Sequence, residues 1–234
     1  MTATGDRPSV LELRAAARAL RAGQFRTAGP TDPVGSRWVP AAGERAVVVV
    51  GVSGGVGTTT VAVATATAAA PARVVECGPV TRSGLVAASF NELGAAGEHW
   101  ARGRRGPVIL ERRTDAEARV PPPLPTDSAA ALTVIDAGDV DTAYRTGWLA
   151  GLLNVTPTVV VARATLPSLR HLEAVLARLA PLPILAVAVV GPPRRRWPKA
   201  LVDALGEHTR AAAADDRLVC VPLDPALGVA GLTE

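Results

Sequence analysis

The feature that most constrains the fold is a glycine-rich turn between an all-apolar run and a segment rich in alanine and threonine. The apolar run covers residues 47–51, and the turn that follows it ends at Gly57. Glycines adopt backbone conformations closed to other residues, so the chain can approach an anion closely. Successive amides and the N-terminus of the following helix can then point at phosphate groups. The pattern therefore predicts a nucleotide phosphate site formed by Gly54, Gly55, Val56, Gly57, Thr58, Thr59 and Thr60.

The turn lacks the lysine that ordinarily follows the last glycine of a phosphate-binding loop and reaches the outer phosphates. Thr58 occupies that position, and Lys199 is the only lysine of the chain. Two alternatives to a nucleotide phosphate loop stay open. One is a dinucleotide site of the Rossmann type, although the third glycine of its G-x-G-x-x-G pattern is absent. The other is a glycine turn with a purely structural role.

Length and composition favour a single α/β domain with a full core. Of the 234 residues, 48% are apolar and only 3% aromatic, so valine, leucine and alanine must form the core, and global disorder is excluded. No apolar stretch reaches the roughly 18 residues of a membrane span, and the N-terminus lacks the apolar segment of a secretory signal. We therefore expect a cytoplasmic protein without a membrane span. Its net charge of +4 suits an acidic partner such as DNA, but an arginine-rich enzyme has the same balance.

Cysteine and histidine residues give no indication of a metal site. Cys77 and Cys220 each lie at the end of an apolar run without CxxC or Cys/His spacing, so we expect both to be reduced packing residues. The three histidines are scattered along the chain without ligand spacing.

The chain is predicted to divide into an N-terminal appendage, residues 1–43, and a main domain, residues 44–234. In the appendage, Ser9 and Glu12 form a capping box that predicts a helix over residues 10–22. Apolar residues and arginines fall on different faces of this helix. It could pack on its own domain, or it could contact a partner protein, DNA or another acidic surface.

From Arg45 onward, apolar runs alternate with helical patterns. The runs are continuous rather than alternating, as expected of a mostly parallel sheet with helices on both faces, so we predict a doubly wound α/β fold. Strands are expected at 46–51, 73–77, 107–111, 131–136, 158–162, 184–190 and 217–221. Helices are expected at 58–70, 83–92, 141–152, 166–179 and 198–213.

Three segments together resemble the deviant-Walker ATPases of the ParA and MinD family, including the pilus-assembly relatives of the CpaE and TadZ type. They are the glycine-rich turn from Ser53 to Thr60, the strand end from Glu76 to Pro79, and the strand end at Asp136. The resemblance covers about residues 45 to 230. It implies a P-loop NTPase fold of the ParA/MinD type, ATP and Mg²⁺ as cofactors, and a role in positioning, partition or assembly. It also implies a protein partner, whereas formation of a homodimer stays open.

The resemblance locates charged groups that this chain has lost. The family pattern K-G-G-x-G-K-T-T falls on residues 53–60, where Ser53 replaces the lysine that reaches across a dimer and Thr58 replaces the second lysine. In the family's D-x-D-P segment, the second aspartate, which is tied to hydrolysis, is replaced by Gly78. The asparagine on the adenine side is replaced by Gly191.

Two groups of the magnesium site are retained. The resemblance implies that the Thr59 hydroxyl and the strand-end Asp136 hold Mg²⁺ or its water. Removing a cation that faces developing charge typically costs about 10²- to 10³-fold in rate. We therefore expect a degenerate ATPase that acts as a nucleotide-binding or nucleotide-free scaffold. One alternative is a working ATPase whose arginines replace the lysines, and another is a DNA-binding accessory protein on the same fold.

Basic residues also cluster in the loop after the predicted strand 184–190, which lies at the carboxyl end of a parallel strand, where such sheets bind ligands. They could contact a nucleotide or DNA, or they could form a solvated loop. The residues are Arg194, Arg195, Arg196 and Lys199.

Overall fold

The structure is a computed structural model. It describes residues 38–78, 80–97, 99–115, 121–122, 131–230 and 232. The helix predicted over residues 10–22 and most of the predicted appendage lie outside these residues, so the division of the chain at residue 43 stays a prediction. Within the described part, Trp38 is already buried in the hydrophobic core.

The described strands form one sheet. They are β1 Arg45–Gly51, β2 Ala72–Glu76, β3 Asn91–Ala95, β4 Trp100–Arg105, β5 Val108–Arg113, β6 Leu132–Asp139, β7 Thr158–Arg163, β8 Ile184–Val190 and β9 Leu218–Val221. Their order in the sheet is β3-β4-β5-β2-β6-β1-β7-β8-β9. Pairing is antiparallel between β3 and β4 and between β4 and β5, and parallel between all other neighbours.

One described helix has the bounds that the sequence pattern predicts, the last described helix was not predicted, and the others are shorter than predicted. The described helices are α1 Thr58–Ala68, α2 Leu85–Ala88, α3 Val140–Arg145, α4 Gly147–Leu153, α5 Leu166–Leu179, α6 Lys199–Asp203, α7 Glu207–Ala214 and α8 Pro225–Ala230. Two 3₁₀ turns accompany them, at Val80–Arg82 and at Arg194–Arg196. Helix α5 has the predicted bounds, and its leucine stripe is buried from Leu169 to Leu179. In the described part, no helix is long and apolar enough to cross a bilayer.

The mostly parallel sheet with helices confirms the predicted fold class. Its central strand β1 lies between β6 and β7 and is buried from Val47 to Gly51. Such a strand can be apolar at every position because both of its faces are covered. In the pairing with β6, Val49 lies opposite Asp136, and in the pairing of β6 with β2, Asp136 lies opposite Glu76. The carboxyl ends of these three strands therefore meet at one edge of the sheet.

The helix predicted over residues 83–92 is wrong. The chain forms only the single turn of α2 there and then enters β3, whose five residues are all exposed. Strands β3 and β4 were not predicted because they lack an apolar run, and strand pairing stabilises them instead. Arg102 of β4 donates to Glu111 of β5 at 2.7 Å, and Arg112 of β5 pairs with Glu92 of β3 at 2.5 Å.

Two further predicted helices are each divided into two. The helix over 141–152 is interrupted at Thr146, which is extended, and the helix over 198–213 is interrupted before α7. At the second break, the first turn of α7 is capped by Glu173 of α5. The Glu173 carboxylate accepts from the amides of His208 and Thr209 at 2.8 and 3.0 Å and from the Thr209 hydroxyl at 2.8 Å. A tertiary contact therefore sets this helix start, which no local pattern indicates.

The two cysteines are free. Cys77 is buried at the end of β2, and burial raises the pKa of its thiol well above the usual value. Cys220 in β9 is only half-buried.

Candidate functional site

A cavity of about 300 Å³ opens where the carboxyl ends of β1, β2 and β6 meet. Ligands of open α/β sheets bind at this edge because the loops that leave parallel strands converge there. The lining consists of Ser53, Gly54, Gly55, Gly57, Thr58, Thr59, Thr60, Glu76, Gly78, Arg82, Asp136, Gly138, Asp139 and Thr142.

The loop between β1 and α1 depends on its glycines. Gly55 and Gly57 have φ values of 76° and 100°, in the left-handed region that side chains rarely adopt. A Cβ atom at Gly51 would lie 2.4 Å from the Thr58 hydroxyl oxygen, so only glycine lets the loop fold back on the end of β1. By contrast, a Cβ atom at Gly54 or Gly55 would meet nothing within 4 Å, because this side of the loop faces open space.

The first turn of α1 has no cap made by a side chain. Its N-cap residue is Gly57, the first turn contains no acidic residue, and Val61 is the first residue whose amide donates back along the helix. Within the described residues, the amides of residues 58–60 donate to no other group. These donors, with the helix dipole behind them, belong to residues that line the cavity. An anion in the cavity would satisfy them.

Thr59 and Asp136 lie in direct contact at the base of the cavity. The Thr59 hydroxyl donates to Asp136 Oδ2 at 2.5 Å, and the amide of Gly138 donates to Asp136 Oδ1 at 3.1 Å. Asp136 is buried, and burial raises the pKa of its carboxyl although both hydrogen bonds lower it.

The same two oxygens fit a magnesium ion. Hydroxyl and carboxylate oxygens are the hard ligands that Mg²⁺ prefers. Within the described residues, no cluster of three or more acidic, histidine or cysteine side chains could hold a metal by itself. Magnesium would therefore need phosphate oxygens and water to complete its coordination, as is usual at nucleotide sites.

Glu76 is a site residue to which the sequence analysis gave no role, although it begins the strand-end segment that carries part of the resemblance. It is 2% exposed and accepts from the Ser83 hydroxyl and, at 2.7 Å, from the amide of Gly84. Burial and the nearby charge of Asp136 raise the pKa of Glu76 to about 7, although the hydrogen bonds lower it. Its position at the end of the strand beside Asp136 is the signal that could have identified it.

Arg82 is a second site residue that the sequence analysis did not identify. It ends the 3₁₀ turn Val80–Arg82, is exposed, and lines the cavity together with the glycine-rich loop. It is the only arginine or lysine among the described lining residues.

Two positions at which the resemblance leads us to expect a charged side chain have different surroundings. Thr58 is 8% exposed, and its hydroxyl is turned back toward Gly51 rather than toward open space. A Cβ atom at Gly78 would meet nothing within 4 Å, so the position aligned with the second aspartate of the D-x-D-P segment is open.

The structure brings together Gly54, Gly55, Gly57, Thr58, Thr59, Thr60 and Asp136, whereas the other predicted site residues do not line this cavity. Val56 is buried in the core. Gly191 directly follows β8 and packs closely against Ala164, since a Cβ atom there would lie 2.5 Å from the Cβ of Ala164. Lys199 pairs with Asp203 at 2.6 Å on the surface.

The side chains of Arg194, Arg195 and Arg196 are exposed on the second 3₁₀ turn. That turn is followed by Trp197, which is buried and donates from Nε1 to the carbonyl of Pro192 at 2.8 Å.

No protein-family model matches the sequence, and no curated protein matches it either. Among solved structures, a ParA family ATPase from Chlorobium tepidum matches with a TM-score of 0.50 and 12% identity, over 81% of this chain and 88% of that chain. The cell division ATPase MinD from Pyrococcus furiosus matches with a TM-score of 0.49 and 16% identity, over 80% and 87%. A nucleotide-binding protein in complex with ADP from Archaeoglobus fulgidus matches with a TM-score of 0.49 and 11% identity, over 80% and 85%.

The architecture is that of a P-loop NTPase, with the glycine-rich loop between the central strand and the first described helix. The likeness to the Chlorobium tepidum structure identifies the fold more narrowly as the α/β fold of ParA/MinD-type NTPases.

Proposed function

We propose that this chain is a degenerate ParA/MinD-like ATPase of the CpaE and TadZ type. It binds Mg·ATP, hydrolyses it at a negligible rate, and serves as a scaffold in positioning, partition or assembly. The observation that carries this proposal is the first turn of α1, whose amides of residues 58–60 are uncapped beside the Thr59–Asp136 pair. From the sequence we also expect a cytoplasmic location, and from the resemblance a protein partner; a homodimer stays an open alternative.

Nucleotide binding is supported by groups that survive without lysine. Backbone amides and the helix dipole of α1 supply partial positive charge, worth about 0.3–1 kcal/mol per interaction at an exposed site. Magnesium held by Thr59 and Asp136 would offset the charge of the outer phosphates. Together these groups favour a bound polyphosphate.

Slow hydrolysis is supported by the groups that are missing. Phosphoryl transfer depends on positioning and on cations that face the developing charge, so each lost contact typically costs about 10²- to 10³-fold in rate. Ser53 and Thr58 carry no charge, and the open space at Gly78 holds no carboxylate. Three such losses in one site leave little catalytic stabilisation.

Calorimetry with Mg·ATP and a steady-state turnover assay test the two parts of the proposal. We expect wild-type protein to bind Mg·ATP, and Asp136→Ala to bind it at least about tenfold more weakly because the magnesium partner is lost. Equal affinities of the two proteins would contradict the magnesium assignment. Turnover of about 1 per second, in the range of competent phosphoryl-transfer enzymes, would contradict the degenerate role.

A DNA-binding role on the same fold is the second candidate. The observation that favours it is the turn Arg194–Arg196, where three exposed arginines lie at the carboxyl edge of the sheet without lining the cavity. Exposed arginines on one turn can neutralise neighbouring phosphates of a duplex.

A further inference from the structure

We propose that Arg82 is the cation that contacts the phosphates of the bound nucleotide, in the role that lysine has in ordinary phosphate-binding loops. This inference rests on the proposed function, and it names the residue of this chain that recognises the polyphosphate. The site would thus obtain its positive charge from the segment after β2 rather than from the glycine-rich loop.

The first support is the state of the charged side chains in the cavity. Each carboxylate already has partners: Glu76 accepts from Ser83 and Gly84, Asp136 accepts from Thr59 and Gly138, and Asp139 accepts from the amide and hydroxyl of Thr142 at 2.9 and 3.0 Å. Within the described residues, Arg82 forms no hydrogen bond or ion pair. Its guanidinium is therefore the one charged group of the described lining without a protein partner, and it is exposed and free to contact an anion in the cavity.

The second support is the way in which the backbone of Arg82 is held. The two residues that follow it are anchored to β2, because the Glu76 carboxyl accepts from the Ser83 hydroxyl and the Gly84 amide. Gly84 also packs on Thr59, since a Cβ atom at Gly84 would lie 3.1 Å from Thr59 Cγ2. Gly84, which contacts Thr59, is only two residues from Arg82. The backbone of Arg82 is therefore held in a fixed turn beside the cavity.

The third support is the chemistry of the side chain. A guanidinium offers a planar fork of donors that matches two phosphate oxygens at once, and it stays charged at any physiological pH. The glycine-rich loop and the turn that ends at Arg82 both line the cavity, the first with backbone amides and the second with a guanidinium. A polyphosphate in the cavity would meet donors from both segments while Mg²⁺ lies near Thr59.

The test compares wild-type protein, Arg82→Ala, Arg82→Lys and the control Arg170→Ala by calorimetry. Arg170 is an exposed arginine of α5 that does not line the cavity, so its loss changes the net charge equally. The probes are Mg·ATP, Mg·tripolyphosphate, which has no base or ribose, and AMP, which lacks the outer phosphates.

We expect Arg82→Ala to weaken Mg·ATP and Mg·tripolyphosphate about 10- to 100-fold, as for the loss of a charge-assisted hydrogen bond. AMP binding should change less than about threefold, Arg82→Lys should recover part of the loss, and Arg170→Ala should match wild type. If Arg82→Ala binds Mg·ATP as tightly as Arg170→Ala does, the inference is overturned and the proposed function stands. An equal loss for AMP and ATP also overturns it, because the substitution would then have displaced the whole turn. If wild-type protein binds neither Mg·ATP nor Mg·tripolyphosphate, the proposed function fails and the role of Arg82 fails with it.

Discussion

The substitution Glu76→Gln should stabilise the protein at neutral pH, although it removes a carboxyl group that lines the cavity. Burial and the charge of Asp136 raise the pKa of Glu76 from 4.5 to about 7 in the folded protein. Between these two values the folded protein binds more protons than the unfolded chain, so its free energy of unfolding falls as the pH rises. The glutamine amide does not titrate in this range, so Glu76→Gln abolishes this loss of unfolding free energy at rising pH.

The size of the effect follows from the two pKa values. A rise from 4.5 to about 7, at 1.36 kcal/mol for each unit of pKa, corresponds to about 3 kcal/mol. The advantage of Glu76→Gln over wild type should therefore grow by about 3 kcal/mol between pH 4.5 and pH 8. The amide can still accept from the Gly84 amide and can donate to the Ser83 hydroxyl, so the turn that follows Glu76 keeps its anchor.

Urea unfolding, followed by tryptophan fluorescence at a series of pH values in buffer with a magnesium chelator, measures this difference. The matched control is Glu173→Gln, another glutamate to glutamine change. Here the substitution should lower the free energy of unfolding at neutral pH instead of raising it. The hydrogen bonds from His208 and Thr209 lower the pKa of Glu173 to about 2, although partial burial raises it. Parallel pH profiles for wild type and Glu76→Gln would refute the assignment of a raised pKa to this buried carboxyl.

Further predictions concern the cap of α7, the glycine-rich loop and the arginine turn. Glu173→Gln should lower the free energy of unfolding by about 1 kcal/mol at pH 7, the usual contribution of a helix cap. Because the pKa of Glu173 is depressed in the folded protein, this difference should fade as the pH drops from about 4.5 toward 2. Equal unfolding midpoints of the two proteins at pH 7 would contradict the prediction. Gly57→Ala should cost about 1–3 kcal/mol because φ is 100° there, whereas Gly54→Ala, with open space around it, should stay within about 0.5 kcal/mol of wild type in the same urea titration. If Arg194–Arg196 contacts DNA, replacing all three arginines by alanine should flatten the slope of log affinity against log salt by up to about 2.7 in a DNA retention assay; an unchanged slope would exclude this turn as the DNA contact.

The parts of the fold that the sequence predicts are those in which one segment carries the whole signal. The glycine-rich loop lies where the pattern places it, because an apolar strand, loop glycines and a helix follow one another in the chain. Helix α5 has its predicted bounds because its leucines repeat at helical spacing and form one buried stripe. Such segments contain both their own pattern and their own end signals.

The parts that the sequence does not predict depend on partners distant in the chain. Strand β3 has only exposed residues, so it has no apolar pattern, and only its pairing with β4 makes it a strand. Glu76 and Arg82 join the site because β2 pairs with β6 and because the turn after β2 folds back on Thr59. No spacing between Arg82 and the glycine-rich loop indicates that they share a cavity, whereas Glu76 falls in the strand-end segment of the resemblance.

The uncapped first turn of α1 links the stability of the whole protein to what occupies the cavity. The amides of residues 58–60 lack partners in the described part of the folded chain, so a ligand that accepts from them binds the native state and not the unfolded chain. Mass action then adds RT ln(1 + [L]/Kd) to the free energy of unfolding, about 2.7 kcal/mol when the ligand is at 100 times its dissociation constant. The melting temperature of this protein therefore reports on its ligand, and a thermal screen of polyphosphates and nucleotides ranks them by affinity without any assay of turnover.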